Sequence, residues 1–402
     1  MTINSLFILI SGPLVYNIPK ALAVFLLFFL AFPLIIDFLK KKFKKFKLLD
    51  SLILIFIILL GLYLRLSLAF FFRGNFDTWS WDYESNLVVK GKNIYAATSL
   101  YRYFPPWIII LGILKKLSVF ISPLPFYFIV KAFLSLVDLG SLFVLLLLCR
   151  LNKTSFLKAA ATFFLNPVSV ILTGFHGQFE NFAIFFILLG IYFYQKNKKT
   201  FFPWLIFTFS GIIKHMFFNQ VLLFLNNIFK DKKKIVKFFF FSNLIALVTL
   251  LPYLKRGKWS VFQCLILSVY SKTSYGFIFL LNQLHLFFLQ ELYKYLFIAL
   301  FFIFPFLVKK KKLYQSCLLG VLFFVCFTPG ISDQFFILPI ALGVLSQSFW
   351  FYLYSLFASL YLFGSSAQFN IEFFKIFSDN LIFIISFFWF FAEYFKNNGT
   401  KS

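Results

Sequence analysis

Long apolar runs alternate with short lysine-rich segments along this chain. The apolar runs near residues 20–39 and 48–72 are each long enough for one helical crossing of a membrane, since a crossing takes about 20 residues. A backbone in lipid must satisfy its own hydrogen bonds, which favours helices for such runs. The pattern therefore predicts an all-α, polytopic transmembrane bundle of about 12–14 spans.

Lysine-rich segments orient these spans, because positively charged loops stay on the cytoplasmic side. They are Lys40–Lys47, Arg150–Lys158, Lys196–Lys199, Lys230–Lys237, Lys309–Lys312 and Lys396–Lys401. Residues 105–149 must connect an outer loop to an inner lysine cluster, yet their length suits two crossings. Either 105–117 is re-entrant or interfacial, or the segment 150–158 is not cytoplasmic.

Two segments have the pattern of interrupted helices. Residues 159–195 predict a hairpin whose outer tip is Phe175–Asn181. Residues 200–229 leave and return to lysine-rich ends over too short a length for two full spans. We therefore expect a broken helix pair there, with Lys214 and His215 at its deep tip. The long polar loop 73–104 lies opposite the lysine clusters, and short helices are expected within it.

The composition excludes a water-soluble globule. Hydrophobic residues make up 61% of the chain and charged residues 13%, against about 45–50% and about 25% in ordinary soluble domains. The net charge of +26 arises from the lysine-rich flanks of apolar runs, so no nucleic-acid partner is expected. The four cysteines form no C-x-x-C pair, which predicts neither a disulfide framework nor a zinc site.

The few acids and histidines are informative because a carboxylate at membrane depth costs about 2.5–3.5 kcal/mol or more. The chain has 13 acids and 3 histidines. The candidate site residues, all expected on one side of the membrane, are Asp77, Asp82, Arg102, Tyr103, His176, Gln178, Glu180, Lys214, His215, Asp333 and Gln334. One shared polar chamber explains this placement more economically than separate accidents.

Plainer explanations stand beside that hypothesis. Asp82 and Glu84 are equally well explained as solvated loop acids. Glu180 could cap a helix, since acids favour helix N-termini. Asp77 lies among aromatic residues, where desolvation raises the basicity of a carboxylate. Lys214, flanked by apolar residues, needs an anionic partner if it is buried.

Four pieces of the sequence together resemble the GT-C glycosyltransferases, integral membrane enzymes that use polyprenyl-phosphate sugars. They are Asp77 followed by Gly91-Lys92-Asn93-Ile94-Tyr95 and Tyr101-Arg102-Tyr103-Phe104-Pro105-Pro106-Trp107; Leu165-Asn166-Pro167 with His176-Gly177-Gln178-Phe179-Glu180; Gly211-Ile212-Ile213-Lys214-His215; and Ser332-Asp333-Gln334-Phe335 through Pro339. The chain departs from the family where Asn75 replaces the first acid of a common Asp-x-Asp, and where Glu180 and His215 replace Asp and Pro. These departures leave any metal requirement open.

The resemblance divides the chain into three parts. Residues 1–47 are N-terminal apolar helices ending in a lysine-rich inner loop. Residues 48–254 are a GT-C-like catalytic membrane module with the outer loop 73–104, and residues 255–402 are C-terminal transmembrane helices. The implied setting is a multi-pass protein of a bacterial inner membrane or the endoplasmic reticulum, in contact with membrane lipids, with its active site on the non-cytoplasmic face.

The resemblance implies an inverting transfer of a hexose, such as mannose, from a polyprenyl-phosphate donor to a hydroxyl of a glycan, lipid or protein acceptor. Inversion needs a base on the face opposite the leaving phosphate, for which Asp77 is the first candidate and Asp82 the second. Lys214, with His215 or Arg102, would stabilise the departing phosphate. Gln178 and Glu180 would hold hydroxyls, and Tyr103 could stack on the sugar.

Cofactors and competing functions stay open from the sequence. No cofactor is certain, and a divalent metal, Mg²⁺ or Mn²⁺, is an open alternative. A transporter or flippase of lipid-linked saccharides is the competing class of protein, because broken helices and midplane charges also mark transport pathways. A non-catalytic scaffold of a glycosylating complex is a third alternative. The sequence carries no inverted repeat that would favour transport.

Overall fold

The computed structural model describes residues 25–39, 47–121, 124–254, 276–308, 311–365 and 372–396, and every regular element within them is helical. The all-α fold class expected from the sequence is thus confirmed for these residues. In chain order the α-helices are α1 Phe25–Leu39, α2 Lys47–Phe71, α3 Phe76–Val89, α4 Ile94–Ala97, α5 Pro105–Phe120, α6 Phe126–Asn152, α7 Phe156–Phe164, α8 Pro167–Val170, α9 Glu180–Asn197, α10 Phe201–Ile213, α11 Phe218–Ile228, α12 Lys232–Leu254, α13 Gly276–Gln283, α14 Phe287–Leu307, α15 Leu313–Phe327, α16 Ile340–Ser346, α17 Phe349–Ser365 and α18 Glu372–Phe395. A π-helix covers Ile171–His176, and 3₁₀ turns cover His215–Phe217 and Asp333–Ile337.

Four helices in the described ranges are long and apolar enough to cross a membrane, which indicates a membrane-embedded protein. They are α2 from Leu48, α6, α12 and α14. The pair formed by α7 and residues Pro167–His176, bent by 45°, makes a fifth if it counts as one span. Six other apolar helices have 10–17 residues, shorter than a straight crossing requires. The described part of the chain therefore holds fewer full-length spans than the 12–14 expected.

The exposed face of α2 is apolar. Leu52, Phe56, Leu59 and Tyr63 recur every three or four residues and are each more than half exposed, so they form one apolar stripe on the helix. An exposed stripe of this kind is unfavourable in water and suits contact with lipid chains.

The predicted helix interruptions are confirmed. Helix α10 ends at Ile213, Lys214 has extended backbone with φ −145° and ψ 114°, and a 3₁₀ turn leads into α11. The predicted hairpin also forms, because the π-helix ends at His176 and α9 begins at Glu180. Helix α5 has 16 residues and is therefore about 24 Å long.

A fully buried ion pair ties α2 and α6 to the bent helix pair. Arg65 Nε donates to Asp138 Oδ2 at 2.9 Å, and neither side chain is exposed to solvent. The same guanidinium donates to the Phe164 carbonyl at 2.7 Å and to Ser169 Oγ at 2.8 Å. Phe164 is the last residue of α7, so Arg65 supplies a donor to a carbonyl that the helix break leaves without an intrahelical partner.

The acidic partner of this network reaches the start of α9. Asp138 accepts hydrogen bonds from Thr173 Oγ1 at 2.8 Å and from Asn181 Nδ2 at 2.5 Å. Asn181 also donates to Thr173 Oγ1 at 3.1 Å. A Cβ on Gly174 would lie 2.8 Å from the Arg65 carbonyl oxygen, so glycine permits the close approach of the π-helix to α2. The network thereby positions the turn between His176 and Glu180.

The C-terminal part of the chain belongs to the same site as the middle part. Phe335 in the second 3₁₀ turn lies 5.0 Å by ring centroid from Lys214 Nζ, so the expected division at residue 254 does not separate the site from the C-terminal helices. Residues 1–24 and 40–46 of the expected N-terminal part, and 255–275 of the C-terminal part, lie outside the described residues.

Candidate functional site

The first acidic candidate is held by the cap of α3. Gly74 has φ +96°, a conformation that favours glycine. The side chain of Asn75 then accepts a hydrogen bond from the backbone N–H of Asp77 at 3.1 Å, as an N-cap residue does. The carboxylate of Asp77 accepts a hydrogen bond from Gln178 Nε2 at 2.6 Å. This hydrogen bond joins the start of α3 to the turn that carries Gln178.

A glycine turn brings Gln178 beneath α3. Gly177 has φ +72°, and the backbone N–H of Gln178 donates to the Leu172 carbonyl at 2.9 Å, closing the end of the π-helix. A Cβ on Gly177 would lie 3.1 Å from atoms of Lys131 and of Thr78. Lys131 is itself buried and donates to the Phe72 carbonyl at 2.7 Å. The side chain of Lys131 therefore runs between the two segments that carry Asp77 and Gln178.

An ion pair between Glu180 and Lys214 joins α9 to the broken helix. Glu180 is the first residue of α9, is fully buried, and forms an ion pair with the Lys214 ammonium. The rings of Tyr103, Phe179 and Phe335 lie 5.0–5.5 Å from Lys214 Nζ, within the range of cation–π attraction. One carboxylate and three aromatic rings thus stabilise this buried cation, and the prediction that Lys214 needs an anionic partner is confirmed.

An aromatic cluster lies between the hydrogen-bonded pair Asp77–Gln178 and the ion pair Glu180–Lys214. Phe179, between Gln178 and Glu180 in sequence, stacks on Trp107 with centroids 4.5 Å apart and planes 7° apart. Trp81 of α3 and Tyr103 each meet the Phe179 ring edge-on, at 5.9 Å and 4.9 Å. The Asp77 and Lys214 sides of the site are therefore built around one rigid aromatic unit.

A cavity of about 240 Å³ opens beside Lys214. Its lining residues are Arg102, Tyr103, Lys214, His215, Met216, Phe297, Phe324, Thr328, Pro329, Gly330, Ser332, Gln334 and Phe335. The charged side chains in that lining, Arg102 and Lys214, are both cationic. Phe297 of α14 and Phe324 of α15 supply an apolar wall. Such a cavity suits a ligand that joins an anionic group to an apolar chain.

Several buried polar atoms of the site have no hydrogen-bond partner. They are Glu84 Oε2, Trp107 Nε1, both ring nitrogens of His176, Gln178 Oε1, Glu180 Oε2 and His215 Nδ1. Buried polar atoms in folded proteins are nearly always hydrogen-bonded, so such a group of atoms calls for partners from water or a ligand. A ligand with several hydroxyl groups can both donate to and accept from these atoms.

Glu84, for which the sequence leaves a solvated loop acid and a site residue equally open, is buried. Its side chain is 2% exposed, and burial, with the charge of Asp77 as the smaller cause, raises its pKa to about 8. Burial, followed by the charges of Asp77, Glu180 and Glu84, raises the pKa of Tyr103 well above its ordinary value. The helical periodicity of α3 indicates the position of Glu84, because Glu84 follows Asp77 by seven residues and residues seven apart share a face of a helix.

Two candidates have partners elsewhere. Asp82 forms an ion pair with Lys115 of α5 at 2.6 Å and is partly exposed, because it lies on another face of α3 from Asp77. Asp333 accepts a hydrogen bond from Ser365 Oγ at 2.8 Å, whereas the neighbouring Gln334 lines the cavity. His176 packs edge-on against the Phe175 ring at 5.0 Å. The site as built therefore centres on Asp77, Glu84, Glu180 and Lys214.

The described part of the chain holds no group of three or more His, Cys, Asp or Glu side chains arranged to bind a metal ion. Comparisons with known proteins add no family, because no protein-family model, no curated protein and no solved structure matches this chain.

Proposed function

We propose that this chain is a GT-C-type membrane glycosyltransferase that moves a hexose, such as mannose, from a polyprenyl-phosphate donor to an acceptor hydroxyl with inversion. The observation that carries the proposal is the juxtaposition of two pairs, Asp77 with Gln178 and Glu180 with Lys214, around the ring of Phe179. It combines a carboxylate, a buried cation and stacking aromatic rings, which are the groups that sugar transfer from a lipid phosphate requires.

Asp77 supplies the base in this mechanism. Its Oδ2 accepts the hydrogen bond from Gln178, which orients the carboxylate and leaves Oδ1 to take the proton of the acceptor hydroxyl as that hydroxyl attacks the sugar. The base must act on the face opposite the leaving group for inversion. The ion pair with Lys115 makes Asp82 the weaker candidate.

The cationic cavity would hold the departing phosphate. Fixed cations aimed at developing negative charge stabilise it, and Lys214, Arg102 and His215 all line the cavity. The rings of Phe297 and Phe324 suit the first isoprene units of the lipid chain. The orphaned atoms of Gln178, Glu180 and His176 suit sugar hydroxyls.

The remaining elements of the proposal follow the family resemblance. The acceptor is a glycan, a lipid or a protein, and the site faces the non-cytoplasmic side of a bacterial inner membrane or the endoplasmic reticulum. No step of the proposed mechanism depends on Mg²⁺ or Mn²⁺. A transporter or flippase of lipid-linked saccharides is the second candidate, because the helix break at Lys214 resembles the discontinuous helices of transport pathways.

A transfer assay with purified protein in lipid nanodiscs tests the proposal. Mannose-labelled short-chain polyprenyl phosphate is offered with glycan, lipid and peptide acceptors. We expect label in one acceptor class with wild-type protein, and Asp77→Asn should reduce transfer about 10²–10⁴-fold, since the base is lost while the fold is kept. Asp231→Asn, a matched change at the start of α12, is the control.

Two outcomes would contradict the proposal. Full transfer by Asp77→Asn would show that the base is another group. Movement of the labelled donor across sealed vesicles, without transfer to any acceptor, would favour the flippase.

A further inference from the structure

Glu84 is a buried carboxyl group that the mechanism above does not use. It follows Asp77 by seven residues on α3, so the two side chains lie on the same face almost two turns apart. Glu84 is 2% exposed, and its Oε2 has no hydrogen-bond partner. An unpaired buried oxygen is unfavourable, so a ligand that satisfies it would gain affinity there.

A second orphaned atom belongs to a residue that packs against α3. Trp81, three residues before Glu84 on α3, packs edge-on against Trp107 with centroids 5.3 Å apart. The buried indole Nε1 of Trp107 likewise has no partner. A carboxyl oxygen and an indole N–H are together suited to a hydroxyl group, which can serve both.

Two cations of the helices beside α3 are engaged elsewhere. On α5, Lys115 pairs with Asp82, and on α6, Lys131 donates to the Phe72 carbonyl. Tyr95 of α4 donates to the Tyr103 carbonyl.

Besides burial, the like charge of Asp77 raises the pKa of Glu84. The charge of Glu84 in turn helps to raise the pKa values of Tyr101 and Tyr103. With a pKa of about 8, Glu84 is mostly a neutral acid at pH 7, and a neutral acid can donate a hydrogen bond.

The position of Tyr103 indicates which part of the substrate Glu84 meets. The Tyr103 ring lies 5.5 Å from Lys214 Nζ and lines the cationic cavity. Gln178, which donates to Asp77, and Glu180, which pairs with Lys214, flank Phe179, so a phosphate beside Lys214 would have the Asp77 face of α3, which Glu84 shares, on one side. A lipid-phosphate sugar is a phosphodiester that carries a lipid chain and a sugar. The lipid chain suits the apolar wall of the cavity, which leaves the sugar on the side of the two carboxyls.

We propose that Glu84 is a sugar-recognition residue, whose carboxylic acid group donates a hydrogen bond to a hydroxyl of the donor sugar. This inference rests on the proposed function. It adds to that function a specificity-determining contact distinct from the base, and a dependence of sugar binding on pH.

Binding of two probes tests the inference. The probes are a short isoprenyl-phosphate mannose and the same isoprenyl phosphate without the sugar, and the readout is the ratio of their affinities between about pH 7 and about pH 9.5. For the wild type we expect the ratio to fall as the pH rises through about 8, because Glu84 loses its proton. In Glu84→Gln the amide N–H still donates, so the ratio should not change with pH.

Glu84→Ala removes the hydrogen bond altogether. It should lower the ratio about tenfold at pH 7 while isoprenyl phosphate binds as before. Glu393→Gln makes the Glu→Gln change at a buried glutamate of α18. It is the matched control for Glu84→Gln, and its ratio of affinities should keep the wild-type dependence on pH.

The outcomes separate this inference from the proposed function. If isoprenyl phosphate does not bind the wild type, the proposed function fails. If both probes bind and the ratio is the same in wild type, Glu84→Gln and Glu84→Ala, only the role of Glu84 is wrong. Infrared difference spectra of the wild type give a readout that needs no variant: the C=O band of a protonated carboxyl should shift with the mannose probe and not with isoprenyl phosphate. An unshifted band would overturn the inference.

Discussion

Removal of Asp138 should destabilise the protein strongly, because it leaves a buried cation without its counter-charge. Asp138 accepts hydrogen bonds from Arg65, Thr173 and Asn181 at 2.5–2.9 Å, and neither member of its ion pair is exposed. Breaking a buried ion pair by removing one partner costs about 3–5 kcal/mol. We therefore expect Asp138→Ala to lower the free energy of unfolding by about 3–5 kcal/mol.

The double variant Arg65→Met with Asp138→Leu separates this penalty from the value of the network. Replacing both charges by apolar side chains removes the buried lone charge, which is often neutral for stability. Arg65 also donates to the carbonyls of Gly61 and Phe164, and the loss of such bonds costs about 1–3 kcal/mol. The double variant should therefore lose about 1–3 kcal/mol, less than Asp138→Ala alone.

Unfolding of the detergent-solubilised protein, followed by tryptophan fluorescence, measures these differences. Asp50→Ala, at the half-buried first turn of α2, is the control and should change the stability by less than about 1 kcal/mol. The reasoning is refuted if Asp138→Ala loses no more stability than the control, or if the double variant loses as much as Asp138→Ala.

Two further variants test the site. Lys214→Met should weaken binding of the lipid-phosphate donor about tenfold or more, because Lys214 lines the cavity. Binding of the acceptor should change little. Equal losses for donor and acceptor in equilibrium binding would count against the phosphate role. Gly177→Ala should cost about 1–2 kcal/mol, because φ is +72° and the new Cβ would meet Lys131 and Thr78. It should also reduce transfer, since Gln178 would move away from Asp77. Thermal unfolding and the transfer assay check both effects, and wild-type values in both would exclude this role of the turn.

The helix interruptions and the polar turns were predictable from the sequence, whereas the partners of the charges were not. Lys214 and His215 interrupt a strongly apolar run, and a polar pair at such a depth indicates a break in the helix. The same holds for the turn before Glu180. The break and the turn place Glu180 and Lys214 on one side, so their pairing was partly foreseeable.

The network of Arg65 and Asp138 shows where sequence reasoning ends. Each residue stands alone in an apolar run, 73 positions from the other, and nothing local indicates that the two runs pack together. The case of α3 differs. Once Asn75 is identified as a helix cap, the periodicity puts Glu84 on the face of Asp77 and Asp82 on another. The sequence predicts short helices within residues 73–104 but not where they begin, and the assignment of faces depends on that.

A cryo-electron microscopy structure with bound isoprenyl phosphate tests the central claim most directly. The account predicts phosphate density in the cavity lined by Arg102 and Lys214, with an oxygen about 3 Å from Lys214 Nζ and the lipid chain against Phe297 and Phe324. Density for the phosphate at another surface, such as the lysine-rich start of α12, with this cavity empty, would contradict it.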